Sequence, residues 1–285
     1  MTAALPSTSL PAAGTRPRTV VQPVTFGRLV VAEWVKIRSL RSTWWALAST
    51  LALFVLLAAI RTADMVSIAD HMPERFLVMP VYATSGVVIG QFVLCGLAVV
   101  VITGEYRSGQ IRATLTAAPT RLPALWAKLA VVVGVVLVTG TVGTLLGWAT
   151  SAVWFDEVGK SIDITDPEHA RLLLGVPLYL AAMTALAFGI GAAIRSTAGG
   201  ITAMFSLVFI IEPAFSYIPF KPLQELAMYL PTAAGSRLVT SDTVGSFISG
   251  SQSTTLGPWA GFGVLLAWVA VTLVVAAVLL RRRDA

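Results

Sequence analysis

Polar and apolar positions along this chain fall into long blocks, not the short alternations of a soluble fold. Residues 26–41 place Phe26, Leu29, Val30, Trp34, Ile37 and Leu40 at three- and four-residue spacing, the mark of a helix with one apolar face. Arg28, Lys36, Arg38 and Arg41 surround that face, so the segment reads as an amphipathic helix lying in a membrane interface. Glu33 interrupts the apolar stripe, where it can reach Lys36 one turn later. Six apolar runs follow, at 44–60, 82–103, 124–155, 172–194, 198–218 and 258–280, against the roughly 20 residues that cross a bilayer. The third exceeds that need and must tilt or project. The expected fold is all-α: six transmembrane helices behind an N-terminal interfacial helix, forming one membrane domain over 26–285. Residues 1–25, rich in Pro, Ser, Thr and Ala and lacking a signal-type apolar core, read as a disordered cytoplasmic tail.

Composition agrees with this pattern. The chain is 56% hydrophobic and 12% charged over 285 residues, where soluble domains carry about 25% charge. With both termini on the cytoplasmic side, the inward segments hold fourteen Lys and Arg against three acids, and the outward loops six against ten. That loop-by-loop asymmetry follows the positive-inside rule and sets the expected topology in a cytoplasmic membrane. The net charge of +6 is accounted for in this way and gives no reason to expect a nucleic-acid partner.

One inward loop is more than a connector. Residues 103–128 read T-G-E-Y-R-S-G-Q-I-R-A-T-L-T-A-A-P-T-R-L-P-A-L-W-A-K. Glu105 and Arg107 follow the second span, Ser108 can cap a short helix starting at Gly109, and Pro119 ends it. The spacing predicts about two helical turns over 109–115, with Arg107, Arg112, Arg121 and Lys128 as a basic face. Contact with anionic lipid accounts for the charge. A short rigid helix offered to a soluble partner accounts for the charge and for the capped, proline-bounded shape.

Candidate chemistry is sparse. His71 and His169 lie in separate loops, Cys95 sits alone in an apolar run, and neither HExxH nor GxSxG occurs. No catalytic, cofactor-binding or metal-ligating set is expected. The one ionisable residue well inside a span is Glu212, followed by Pro213. Such a carboxylate faces a bundle interior or a wet path, because lipid is costly for it. It reads either as a gating or substrate-path residue or as a packed hinge with a hydrogen-bond partner.

Three stretches resemble the membrane subunits of type-2 ABC exporters, the six-span bacterial permeases whose ATPase is a separate chain. They are E-W-V-K-I-R-S-L-R-S-T-W-W at 33–45, G-E-Y-R-S-G-Q-I-R-A-T-L-T-A-A-P-T-R at 104–121, and Y-L-P-T-A-A at 229–234 after Glu212-Pro213. The resemblance implies a non-catalytic permease that exports a substrate by alternating access. It would assemble with a second permease copy or a related one and with nucleotide-binding subunits that hold the ATP and Mg. Glu33, Trp34, Lys36 and Arg38 would then belong to the interfacial helix. Glu105, Arg107, Gly109, Arg112, Leu115, Pro119 and Arg121 would couple it to the ATPase. The other reading of the same residues is a non-transporting scaffold or sensor that recruits a soluble partner through residues 104–128.

Overall fold

The structure, a computed structural model, describes residues 25–71, 73, 76–108, 122–241 and 256–282. The chain forms α1 (Phe26–Ser39), α2 (Arg41–Ser67), a short α3 (Met79–Ala83), α4 (Val87–Ser108), α5 (Leu122–Glu157) and α6 (Pro167–Ile194). A helical run α7 (Thr197–Tyr217) follows, then short helices α8 (Lys221–Ala227) and α9 (Pro231–Gly235), and finally α10 (Pro258–Arg282). Among the described residues, α2, α4, α5, α6, α7 and α10 are long and apolar enough to cross a membrane. By length and composition this is a multi-pass, all-helical membrane protein. The 1–25 tail lies outside the described residues except for Thr25.

The helix bounds have local causes. Leu40 leaves the helical region (ψ 119°) and separates α1 from α2, and the corner is tied by the Trp44 indole N–H donating to the Arg38 carbonyl at 2.9 Å. The second span, expected from residue 82, splits into α3 and α4. At the break, a Cβ on Gly86 would lie 2.4 Å from the Phe54 Cα, so α2 reaches the chain too closely there for any side chain. α5 has 36 residues, about 54 Å at 1.5 Å per residue, which bears out the expected excess over a bilayer. Asp166 caps α6 by accepting from the amides of Glu168 (2.7 Å) and His169 (3.3 Å), with Pro167 in the first turn. Arg195 closes α6 in the left-handed region (φ 61°), and Ser196 caps α7 through the Gly199 amide, which makes a tight hairpin.

α6 is the central post. Of its most apolar stretch 83% is buried, against 22% for α2 and for α7, and it packs on α4, α5 and α10. Its Tyr179, fully buried, donates to the Gln91 side-chain oxygen of α4 at 2.7 Å. Thr62 and Ser151 join α2 to α5, and Thr103 and Thr197 join α4 to α7 at 2.6 Å. Hydroxyl links of this kind hold membrane helices together where lipid removes the hydrophobic incentive to associate. Phe54 of α2, also fully buried, is seated against Gly86, Gly90 and Gly143, which make one slot for one ring.

The segment after α7 folds back into the protein. α8 runs along the rim, while α9 and the 3-10 turn Ser236–Val239 are largely buried against α6 and α10. Arg171 on α6 donates to the carbonyls of Arg237, Leu238 and Thr240 at 3.0–3.2 Å, and the Trp268 indole N–H donates to the Tyr229 carbonyl at 2.8 Å. Irregular backbone at membrane depth needs such protein-supplied partners.

Gly86→Ala is expected to lower the thermal unfolding midpoint in detergent, because the new methyl meets backbone. Gly134→Ala, in the interior of α5 with nothing within 4 Å of its Cβ, is expected to hold the midpoint or raise it slightly. Equal shifts for the two would contradict the packing of α2 on α4.

Candidate functional site

Two constellations bring chemistry-bearing residues together. The first joins α1, α4 and α5. Glu33 of α1 is buried, and the Glu33 position in the apolar stripe is the helix face that packs on α5. One Glu33 oxygen accepts from Lys36 Nζ at 2.7 Å, and the other accepts from Lys128 Nζ of α5. Glu105 Oε1 of α4 accepts from both lysines, at 2.8 Å from Lys36 and 2.9 Å from Lys128. Two carboxylates and two ammonium groups thus alternate around a closed ring, and the Glu33, Glu105 and Lys128 side chains are each at least nine-tenths buried.

This geometry corrects the sequence reading twice. Lys128 is not on the basic face of the loop: α5 has begun at Leu122, and the two carboxylates hold Lys128 inside the bundle. α4 also continues through Ser108, so Glu105, read as following the second span, lies within its helix. Glu105 is thereby fixed by helical geometry opposite α1. The pairings span 69, 95 and 23 positions along the chain, and no local pattern exposes them. Burial opposes the charge on Lys36, but hydrogen bonds and attraction from Glu105 and Glu33 raise its pKa above 10.5.

The remaining residues of this region are less gathered. Trp34 and Arg38 are exposed on α1. Arg107 lies in the last turn of α4, and Gly109, Arg112, Leu115, Pro119 and Arg121 fall outside the described residues, as does the expected helix over 109–115. Nearby, Arg195 occupies the α6–α7 turn. Its guanidinium sits 5.2 Å from the centre of the Tyr106 ring and donates to the Leu279 carbonyl at 3.2 Å, tying the ends of α4 and α10 to the α6–α7 turn.

The second constellation lies about 22 Å along α7 from its start, at 1.5 Å per residue. Glu212 is buried, and its two carboxylate oxygens accept the backbone amides of Thr232 (2.8 Å) and Ala233 (3.0 Å) at the start of α9. The Glu212-Pro213 pair and the Y-L-P-T-A-A stretch at 229–234, separate in sequence, are therefore bonded to each other. Pro213 has no amide to donate, and the turn before it winds wide: Leu207–Ile211 is π-helical, and the Glu212 amide donates to the Leu207 carbonyl. Phe209 in that turn stacks on Phe92 of α4 at 4.8 Å, with Phe205 5.3 Å from Phe92.

Chemically, the first site is a neutral, closed ion network and the second a carboxylate cap on buried backbone. Among the described residues, no group of three or more His, Cys, Asp or Glu side chains is arranged to hold a metal ion. No protein-family model matches this chain, and no curated protein matches it.

Removing one member of a buried ion network strands its partners. Lys128→Met is expected to cost about 3–5 kcal/mol of stability, and Lys128→Met combined with Glu33→Gln to recover part of that. Denaturant titration in detergent measures both, and a double variant no better than the single one contradicts the pairing. The Lys36 contribution is fully present below pH 10.5 and lost only as pH climbs through its raised pKa, so its share does not change between about pH 7 and 10. At the second site, Glu212→Ala leaves two buried amides without an acceptor and is expected to cost about 1–3 kcal/mol. Glu212→Gln, which keeps one acceptor oxygen, costs less.

Proposed function

We propose that this chain is the membrane-spanning permease subunit of an ATP-driven ABC export system, moving its substrate across the cytoplasmic membrane by alternating access. The observation that carries the reading is the Glu33–Lys36–Glu105–Lys128 network. It locks α1 to the helix that leads into residues 109–121 and to the helix that leaves them. A displacement applied to those residues by a partner reaches α4 and α5 together, and α1 with them. That is the mechanical requirement for a permease driven by a separate motor. The likeness of 33–45 and 104–121 to type-2 ABC permeases supports the same reading, and each stretch contributes a carboxylate to the network.

In this scheme α1 lies in the cytoplasmic interface and both termini face the cytoplasm. Gly109, Arg112, Leu115, Pro119 and Arg121 form the surface met by the nucleotide-binding subunit, which holds the ATP and Mg. Glu105 and Arg107 anchor that surface at the end of α4. A second permease copy, or a related one, completes the pathway. Alternating access requires the partner to bind the two membrane states with different affinity, since equal affinity shifts nothing. Glu212 and Pro213 contribute the hinge: α7 joins its neighbours at Thr197, winds wide before Pro213, and grips α9 through the Glu212 carboxylate.

Affinity purification of the tagged chain from its native membranes is expected to recover an ATP-hydrolysing subunit. Arg112→Glu with Leu115→Glu is expected to reduce that recovery at least about tenfold, the loss of roughly 1.4 kcal/mol at an interface, while membrane insertion stays normal. A partner without ATPase activity, recovered through the same residues, would favour the scaffold reading. Undiminished recovery with the double variant overturns the coupling assignment.

A further inference from the structure

Beside the ion network lies a cavity of about 410 Å³, within the range of about 300–1,000 Å³ usual for ligand pockets. Its two halves differ in chemistry. One wall is apolar, formed by Ile37 and Leu40 of the α1–α2 corner and by Val100 and Val101 of α4. Leu40 and Val100 are 46% and 40% exposed, so this wall is continuous with the surface that the spanning helices offer to lipid. The other half is polar, with Lys36, Ser39 and Ser42 beside the network.

Charge and hydrogen-bonding capacity decide what fits. Both carboxylates facing the cavity, Glu33 and Glu105, are each engaged by both lysines, and the four charges sum to zero. An ammonium group has three N–H donors, and Lys36 spends two of them on Glu33 and Glu105. The Lys36 side chain is 41% exposed, which leaves its third donor reachable from outside. Arg38 and Arg41 stand exposed on the same corner, and the first turn of α2 has no side-chain cap. Its N-terminal amides therefore add positive partial charge. A neutral floor with spare donors, a cationic rim and an apolar wall open to lipid match an amphiphile with a phosphate head.

We propose that this cavity binds one anionic phospholipid of the adjoining leaflet, its phosphate on Lys36 and Ser42 and the upper part of an acyl chain along Leu40, Val100 and Val101. The site goes beyond the transport reading and stands without it. Because the lipid phosphate shares Lys36 with Glu33 and Glu105, its occupancy bears directly on the network that joins α1, α4 and α5.

The test is native mass spectrometry of the full chain in neutral detergent, titrated with phosphatidylglycerol or phosphatidylcholine. One phosphatidylglycerol is expected to be retained per chain, in preference to phosphatidylcholine. Lys36→Gln is expected to weaken retention about fivefold, the effect of one cationic side chain on an anionic lipid. Val100→Trp, outside the ion network, fills the cavity and is expected to abolish retention. Arg282→Gln, outside the cavity, is expected to leave it unchanged. Each variant is compared as a monodisperse species, and Val100→Trp decides the matter if Lys36→Gln does not fold. Equal retention of the two lipids, or retention by Val100→Trp, overturns the proposal. Displacement of the lipid by glycerol 1-phosphate at equal concentration also overturns it, by assigning the phosphate site to a soluble ligand.

Discussion

Three charges removed from water, with a fourth at their edge, constrain this protein more than any other feature. Glu33, Glu105 and Lys128 are almost wholly buried, and Lys36 bridges them to the surface. Desolvating so many charges cancels much of their attraction, so the network adds little net stability over an apolar core of the same shape. Its consequence is specificity. Any register that slides α1 by one turn, or rotates α4 against α5, takes from buried carboxylates and from Lys128 one of the two partners that each has here. The first helix is thus assigned a single seat although it makes few contacts with its own successor α2.

The rest of the bundle divides around that constraint. α6 stands in the middle, fixed by Tyr179 to Gln91 on one side and by Arg171 to the buried carbonyls after α9 on the other. α2, α7 and α10 form the perimeter and keep apolar side chains such as Leu56, Ile210 and Val274 outward. Arg195, in a left-handed conformation that few non-glycine residues adopt, closes the α6–α7 hairpin and reaches both Tyr106 and the last turn of α10. The ends of α4, α6, α7 and α10 are consequently bound to one another beside the ion network.

Most of the fold was legible because lipid imposes a coarse rule: long apolar runs become helices, and all six expected spans exist within a few residues of their bounds. The departures have particular causes. The second span breaks at Gly86, where Phe54, 32 positions earlier, leaves no room for a side chain. Lys128 was grouped with the basic residues of the loop although it also falls within the apolar run at 124–155, and the carboxylates that hold it lie 23 and 95 positions away. Glu33 looked like a flaw in an apolar stripe for the same reason. Glu212 was singled out as a charge inside a span, but its partners are backbone amides, which carry no sequence identity. Periodicity reports burial well and reports the long-range partner of a buried charge hardly at all.

The two constellations differ in how they respond to force, and the difference follows from their bonding. Opening any one pair in the Glu33–Lys36–Glu105–Lys128 ring takes one of two partners from a carboxylate in a poorly solvating place, which resists relative motion of α1 and the adjacent ends of α4 and α5. α7 has no such penalty along its middle. Its ladder already departs from α-helical spacing at Leu207–Ile211, Pro213 removes one donor, and the ring of Phe209 can slide on Phe92 at little cost. Under the proposed transport reading, the change between two states concentrates in α7, with Glu212 carrying α9 along. In that reading the rigid end is the segment that receives the partner's push, and the compliant helix is the one that changes the shape of the passage.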